Sequence, residues 1–290
     1  MTIWTEFLGL PIRQQFYDVN GVRTRVIEGG WENKKTLIML HGTGGHAEAF
    51  ARNFRAHVPN FRVIAMDMVG HGFTDAPPMH YTMASFVKHL GEMVDILGCD
   101  KVYLSGESLG GMVAAHYAIE NPKRVAKLVL NTSLLIRRTA EGRQQLADLL
   151  ARSRRAAGEV TRDTVRARMN WLMHDPAKDL TDELVNSRYT IYAQPGRAAV
   201  ISQISQEIVG GLLDDAWSDR WSNEEHLAKI ECPVLLIWSS HNPGASPEHA
   251  ATALQYLKDA RMEVLQDCGH WPQWEQPAAY DKVQLNFLLA

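Results

Sequence analysis

Short runs of consecutive apolar residues recur along the chain, and most of them lack the apolar–polar alternation of a half-exposed strand. These runs are residues 37–40, 63–66, 102–104, 128–130, 234–238 and 262–265. Such runs predict strands that are buried on both faces of a parallel sheet. Segments with helical periodicity lie between them, for example 83–97 and 110–120. This alternation predicts a doubly wound α/β fold with a mostly parallel central sheet.

A hairpin is predicted ahead of these runs. Residues 15–19 and 22–27 are strand-like and are separated by Asn20 and Gly21. The Asn-Gly pair is typical of a type I′ turn, because both central residues of that turn need a positive φ. We therefore expect an antiparallel pair of strands before the parallel part of the sheet.

The strand pattern is interrupted from about residue 135 to residue 213, where the sequence is helix-rich and has no good strand run. Because this stretch lies between two predicted strands of one sheet, we predict a helical lid rather than a separate domain. The predicted division is a core segment at 1–134, the lid at 135–213 and a second core segment at 214–290. Acidic residues are interleaved with the arginines of the lid, so we expect solvated helix faces rather than a basic binding patch.

Composition narrows the classes of function. The chain has 290 residues and a formal net charge of −3, so no overall positive field attracts nucleic acid. Its three cysteines are too few and too scattered for a disulfide framework or a thiolate metal site, which favours a reducing compartment. Residues 1–13 lack a signal peptide pattern, and no apolar run approaches the ~18 residues of a membrane span. We expect a cytoplasmic protein without a membrane partner, and leave a homo-oligomer open.

Residues 106–110 read G-x-S-x-G, with Ser108 at the centre. The motif follows the predicted strand 102–104 and opens the next predicted helix, which is the strand–turn–helix context of a nucleophile elbow. Glycines are needed there because the turn is strained and crowded. A chance glycine-rich turn is the alternative, but the context favours Ser108 as a catalytic nucleophile.

A second glycine-rich loop, residues 41–45, follows the predicted strand 37–40. Such a loop can direct backbone N–H groups at the negative oxygen that forms during acyl chemistry. We expect the oxyanion donors to be the N–H groups of Thr43 and of Leu109, the residue after the nucleophile. The loop lacks the Lys-Ser/Thr ending of a phosphate-binding P-loop.

His270 follows the last apolar run, and a histidine there can take the proton of Ser108. The acid of a triad should follow the strand that ends at residue 238, but that loop contains Asn242 and no Asp or Glu. An amide oxygen can orient the imidazole but supplies no charge. We favour Asn242 as the partner of His270. The alternative carboxylates are Glu248, Asp267 and Asp215.

With these residues in place, the chain resembles the meta-cleavage-product hydrolases, carbon–carbon bond hydrolases of the α/β-hydrolase superfamily. Residues 269–275 look like that family's G-H-W-x-Q-W-E segment, and lid residues 181–189 look like its T-[DE]-E-L-x-x-x-R-[YW] segment. The resemblance covers nearly the whole chain. It implies that Arg188 binds and polarises the substrate and that Trp271 lines the site. We place Gly42 and Glu107 among the substrate-contacting residues as well.

Two positions depart from the family pattern. The family usually has Asn immediately before the nucleophile, where this chain has Glu107, and Asp as the triad acid, where it has Asn242. A carboxylate beside an anionic substrate should repel it, unless Glu107 is paired or turned away.

The resemblance implies hydrolysis of a 2-hydroxy-6-oxo-hexa-2,4-dienoate, a small molecule, without metal or organic cofactor. A carboxylesterase or lactonase stays open, because the same apparatus hydrolyses esters. A hydrolase-fold binding protein with a weakened triad also stays open, because of Asn242.

Overall fold

The computed structural model describes residues 2–133 and 135–290, and a single eight-stranded sheet lies at its centre. Its strands are β1 (Ile12–Val19), β2 (Val22–Gly29), β3 (Thr36–Leu40), β4 (Arg62–Met66), β5 (Val102–Glu107), β6 (Val125–Asn131), β7 (Val234–Ser239) and β8 (Ala260–Leu265). The order across the sheet is β1-β2-β4-β3-β5-β6-β7-β8. Strands β3 to β8 run parallel, whereas β2 is antiparallel to both β1 and β4. The predicted mostly parallel α/β sheet is confirmed.

The helices flank and connect these strands. They are α1 (Ile3–Phe7), α2 (Phe54–His57), α3 (Met83–Ile96), α4 (Leu109–Glu120), α5 (Ala140–Gly158), α6 (Arg162–Asn170), α7 (Pro176–Asp179), α8 (Asp182–Tyr192), α9 (Arg197–Gly211), α10 (Asp215–Trp221), α11 (Glu224–Leu227), α12 (Pro247–Ala251), α13 (Pro272–Glu275) and α14 (Pro277–Leu289). Short 3-10 helices span Ala47–Asn53, Pro122–Arg124 and Thr252–Gln255. In the part of the chain just described, no helix has the length and apolarity that crossing a bilayer requires.

The buried strands explain the apolar runs. Every residue of β3 and of β7 is buried, as the absence of polar alternation predicts. Strand β8 is more exposed because it lies at the edge of the sheet and pairs with β7 alone. The predicted hairpin is also present, since Asn20 and Gly21 join β1 to β2 with φ values of +49° and +84°.

The segment between β6 and β7 contains helices α5 to α11, which loops connect, and its described residues include no strand. Helix α5 packs against α6 and α9, and α6 packs against α8. This agrees with a helical insertion between late strands, while the division into core and lid stays a prediction. Residues 1 and 134, the ends of the predicted first core segment, lie outside the described residues.

The carboxyl ends of the parallel strands meet at one edge of the sheet, and ligand sites of open α/β sheets form there. The loops after β3, β5, β7 and β8 carry the predicted loop 41–45, Ser108, Asn242 and His270 respectively. The fold therefore brings together residues that are far apart in sequence.

Helix α14 carries a buried carboxyl group whose ionisation opposes folding. Asp281 accepts a hydrogen bond from Asn53 Nδ2 at 2.8 Å, but burial raises its pKa to about 8. The folded state therefore holds this proton between pH 4 and 8, where the unfolded state has lost it. In that window the free energy of unfolding falls as the pH rises.

We expect Asp281→Asn to stabilise the protein by about 1–3 kcal/mol at pH 8 and by little at pH 4, because the amide needs no proton to stay neutral. Urea unfolding at both pH values measures the difference, with the exposed Asp259→Asn as control. An equal gain at the two pH values would show that the effect does not come from ionisation.

Candidate active site

The nucleophile elbow has the strained geometry that its sequence predicts. Ser108 lies between the end of β5 and the start of α4, with φ +52° and ψ −117°. A Cβ on Gly106 would lie 2.3 Å from the backbone of Gly110, and a Cβ on Gly110 would lie 2.3 Å from the carbonyl oxygen of Leu40. Both glycines are therefore required by close backbone contacts, and the turn presents Ser108 to the cavity at the sheet edge.

Two backbone N–H groups are available beside Ser108. Thr43 and Leu109 line the same cavity, and neither N–H donates to an acceptor within the described residues. Leu109 is the first residue of α4, so the positive end of the helix dipole adds to its N–H. His41 Nδ1 lies 2.8 Å from the carbonyl oxygen of Gly42, and Met68 N–H donates to His41 Nε2 at 3.2 Å. This pair of contacts fixes the loop.

His270 is oriented by an amide rather than by a carboxylate. Its Nδ1 lies 2.7 Å from Asn242 Oδ1, while Asn242 Nδ2 donates to the carbonyl oxygen of Ala245 at 3.2 Å. Because a carbonyl can only accept, the amide nitrogen must face Ala245 and the amide oxygen must face the imidazole. The neutral imidazole then carries its proton on Nδ1, so its Nε2 has a free lone pair and can act as a base.

The alternative carboxylates, Asp215, Glu248 and Asp267, do not contact His270 Nδ1. Asp215 is paired with Arg143 Nη1 at 2.7 Å, and Glu248 and Asp267 are exposed on the protein surface. Within the described residues, none of the three is hydrogen-bonded to His270.

Glu107 faces the cavity rather than away from it. Its side chain is almost completely buried, Oε2 accepts a hydrogen bond from Gly42 N at 2.5 Å, and Oε1 lies 3.2 Å from His270 Nε2. A Cβ on Gly42 would lie 2.6 Å from Oε2, so glycine is needed for this approach. The carboxylate is therefore placed to form an ion pair with a protonated His270.

Arg188 lies beside the cavity and does not line it. It is 1% exposed, and its guanidinium is 5.1 Å from the centre of the Trp271 ring, which does line the cavity. Within the described residues no acceptor binds its Nε, Nη1 or Nη2. Burial lowers the pKa of Arg188, while Tyr192 and Glu107 act in the opposite direction. A buried cation with free N–H groups is suited to an anionic ligand.

Sequence reasoning missed two arginines that line the cavity, Arg138 and Arg168. The expectation of solvated lid arginines holds for Arg155 but is wrong for Arg168, which is 4% exposed. A signal was present, because Arg168 is three residues after the apolar Val165 and therefore lies on the buried face of α6.

Comparison with known proteins adds to this geometry. A family model described as the alpha/beta hydrolase fold matches residues 35–277. The chain is 28% identical over 266 residues to the 2-hydroxy-6-oxononadienedioate/2-hydroxy-6-oxononatrienedioate hydrolase of Comamonas testosteroni, covering 88% of this chain and 87% of the relative. It is 29% identical over 280 residues to the 2-hydroxy-6-oxo-2,4-heptadienoate hydrolase of Pseudomonas putida, covering 93% and 94%.

A solved structure agrees in fold. The 2-hydroxy-6-oxo-6-phenylhexa-2,4-dienoate hydrolase of Rhodococcus sp. strain RHA1 has a TM-score of 0.84 to this chain at 21% identity, covering 97% of this chain and 100% of its own. The α/β-hydrolase fold and the resemblance to meta-cleavage-product hydrolases, both predicted from the sequence, are therefore confirmed.

Proposed function

The chain belongs to the family with the alpha/beta hydrolase fold, and from that premise we propose that it is a serine hydrolase that cleaves the carbon–carbon bond of a 2-hydroxy-6-oxo-hexa-2,4-dienoate. The observation that carries the proposal is the charge of the site. A serine, a histidine and two free N–H donors share one cavity with buried guanidinium groups. A neutral ester needs no such cations, whereas an anionic dienoate does.

The reaction starts with ketonisation of the dienol, in which a proton leaves the 2-hydroxyl oxygen and a proton is added at C5. Arg188 lies beside the cavity, next to Trp271, and from there its positive charge stabilises the carboxylate and enolate end of the substrate. Trp271, whose ring contacts that guanidinium, holds the adjoining part of the chain.

Ser108 Oγ then attacks the C6 carbonyl carbon while His270 Nε2 accepts the Oγ proton. The N–H groups of Thr43 and Leu109 stabilise the resulting oxyanion. The C5–C6 bond breaks, its electron pair enters the dienolate, and the proton on His270 completes 2-hydroxypenta-2,4-dienoate. Water hydrolyses the acyl-serine to a carboxylic acid, so that one water is consumed overall. Direct attack by a water that His270 activates gives the same products.

Glu107 supplies the charge that Asn242 lacks. During proton transfer His270 becomes a cation, and Glu107 Oε1 lies 3.2 Å from the nitrogen that receives the proton. Its carboxylate can stabilise that cation from the Nε2 side, whereas a triad aspartate does so from the Nδ1 side. The surrounding arginines offset the repulsion between Glu107 and an anionic substrate, which answers the objection that the sequence raises.

The test uses the yellow colour of meta-cleavage products. On mixing with the protein, a small panel of 2-hydroxy-6-oxo-dienoates should bleach with multiple turnovers, and chromatography should give one pentadienoate and one carboxylic acid for each substrate molecule. Persistent colour together with hydrolysis of p-nitrophenyl esters would indicate an esterase. Persistent colour without ester hydrolysis would indicate a binding protein.

Arg188→Ala should lower kcat/KM for dienoates by about 10²–10³-fold, because a buried positive charge beside the cavity is lost. A neutral aryl or alkyl ester should lose far less. Parallel assays of both substrates measure the split, and Arg155→Ala, an exposed arginine of the same lid, is the control. Equal losses on the two substrates would assign Arg188 a packing role in the lid.

A further inference from the structure

The chain leaves β6 through Asn131, Thr132 and Ser133, which we call the bridge segment. Strand β6 pairs with β5, which leads into Ser108, and with β7 on its other side. The bridge segment is buried, and Thr132 and Ser133 line the cavity. The proposed reaction gives none of these side chains a role, although they lie among the reacting groups.

The bridge segment binds both main-chain polar groups of the nucleophile. Ser108 N–H donates to the carbonyl oxygen of Asn131 at 3.1 Å, and Ser133 Oγ donates to the carbonyl oxygen of Ser108 at 2.6 Å. A Cβ on Gly111 would lie 2.5 Å from Ser133 Oγ, so helix α4 comes this close to Ser133 only because residue 111 is glycine. The backbone of Ser108 is therefore held against the end of β6.

The same segment also binds the loop that carries the base. Thr132 Oγ1 donates to the carbonyl oxygen of His270 at 2.9 Å, and within the described residues this carbonyl has no other donor. Asn131 Nδ2 donates at 2.7 Å to Oε1 of Gln273, three residues after His270 on α13. Hydrogen bonds from three consecutive residues thus connect the backbone of Ser108 to the loop of His270.

Thr132 makes its contact from an unfavourable backbone conformation. Its φ is +44°, which is unusual for a β-branched residue, and its N–H donates to the carbonyl oxygen of Ile237 on β7 at 2.9 Å. Glycine would relieve the strain, but it has no hydroxyl for His270. Strain of this kind is found at functional sites, where the surrounding structure maintains it.

We propose that the bridge segment sets the position of Ser108 relative to His270, and that Thr132 and Ser133 are positioning residues. The inference rests on the proposed function in taking Ser108 as nucleophile and His270 as base. Proton transfer requires the two side chains within hydrogen-bond reach, and a displacement of about 1 Å can lower the rate about 100-fold. A segment bonded to both backbones keeps that displacement small.

Thr132→Val should lower kcat for dienoates by about 10- to 100-fold and change KM by less than about threefold, because only the hydroxyl is lost and the carbonyl of His270 loses its donor. Thr132→Ser keeps the hydroxyl and should retain most of the wild-type kcat. A rise in KM at unchanged kcat in Thr132→Val, or an equal loss of kcat in both variants, would overturn the role of this hydroxyl.

Ser133→Ala should have a smaller effect, a loss of about 3- to 10-fold in kcat, because the carbonyl of Ser108 keeps its bonds from the N–H groups of Gly111 and Met112 at 3.1 and 3.2 Å. A larger loss than in Thr132→Val would contradict this order.

Thr24→Val is the matched control, since it makes the same change in a buried threonine of β2. Thr24 Oγ1 lies 2.8 Å from His89 Nε2, and Thr24 does not line the cavity. Its loss should lower stability and leave kcat unchanged. Thermal unfolding of every variant separates a loss of folded protein from a loss of kcat.

A fluorophosphonate separates this proposal from the carbon–carbon cleavage. Ser108 Oγ bonds to its phosphorus, fluoride leaves and His270 takes the Oγ proton, so the labelling rate reports the serine–histidine pair without any dienoate. Thr132→Val should slow labelling by about the same factor as kcat, and Thr132→Ser should not. If dienoates do not bleach but Thr132→Val still slows labelling, the cleavage reaction is wrong and the bridge segment stands. Labelling of Thr132→Val at the wild-type rate, or no labelling of wild-type Ser108, would overturn the proposal.

Discussion

Ser108→Ala should abolish turnover of dienoates while the fold stays intact. Removal of the nucleophile from a Ser–His site costs about 10³–10⁶-fold in kcat, the remainder coming from the oxyanion donors and binding. Stability should change by less than about 1 kcal/mol, because alanine and serine are equally strained at φ +52°. Stopped-flow bleaching under single-turnover conditions, together with thermal unfolding, measures both effects.

Ser105→Ala is a matched control on the same strand. Ser105 is buried on β5 and its Oγ lies 3.1 Å from Tyr280 Oη and 3.2 Å from Gln284 Oε1, away from the cavity-lining residues. Its loss should lower stability and leave kcat unchanged, the opposite of the Ser108 variant. Dienoate cleavage at the wild-type rate in Ser108→Ala would remove the serine from the chemistry and leave water attack as the mechanism.

The sheet was predictable because each buried strand has its own pattern of apolar residues in the sequence. Strands β3 and β7 are buried on both faces, so each reads as an uninterrupted apolar run. The elbow was predictable for a related reason. Gly106 is required by the backbone of Gly110, four residues later, and Gly110 by the carbonyl of Leu40 on the neighbouring strand. The strand–turn–helix context with its two glycines is visible in the sequence.

The contacts of the charged residues in the site were harder to predict from the sequence. The carboxylate of Glu107 contacts Gly42 and His270, which come from two other loops, so no local pattern reports that contact. The burial of Arg168 depends on which face of α6 meets the cavity. Arginine also has a long apolar stem, so its place in a helical pattern indicates burial less clearly than leucine does.

The orientation of Asn242 is a third feature that sequence could not give. An asparagine opposite a catalytic histidine can present either its oxygen or its nitrogen, and the second choice leaves the imidazole in the wrong tautomer. The carbonyl of Ala245 decides between them here, and that carbonyl is also bound by Trp238 Nε1 at 3.1 Å. The imidazole of His270 therefore has the correct tautomer, but the site has no negative charge beside its Nδ1.

Asn242→Asp should raise kcat/KM, because a carboxylate 2.7 Å from His270 Nδ1 would stabilise the imidazolium that forms during proton transfer. The reverse change in a Ser-His-Asp triad costs about 10⁴-fold, much of it through the wrong tautomer. Since the tautomer is already correct here, we expect about 10- to 100-fold, equivalent to about 1.4–2.8 kcal/mol of barrier. The bond from Asn242 Nδ2 to Ala245 would be lost, but Trp238 still satisfies that carbonyl.

The measurement is kcat/KM from pH 6 to 9 for Asn242→Asp, Asn242→Ala and each change combined with Glu107→Gln. Asn242→Ala removes the acceptor and should lose activity. If Glu107 supplies part of the missing charge, Glu107→Gln alone should lower kcat/KM. Asn242→Asp should then raise kcat/KM more in the Glu107→Gln background than in the wild type, because the two carboxylates stabilise the same cation. A gain that is equal in both backgrounds would show that Glu107 has no share in stabilising the imidazolium. If Asp gives no gain and Ala gives no loss, Asn242 does not orient His270 during catalysis, whatever the contact between their side chains.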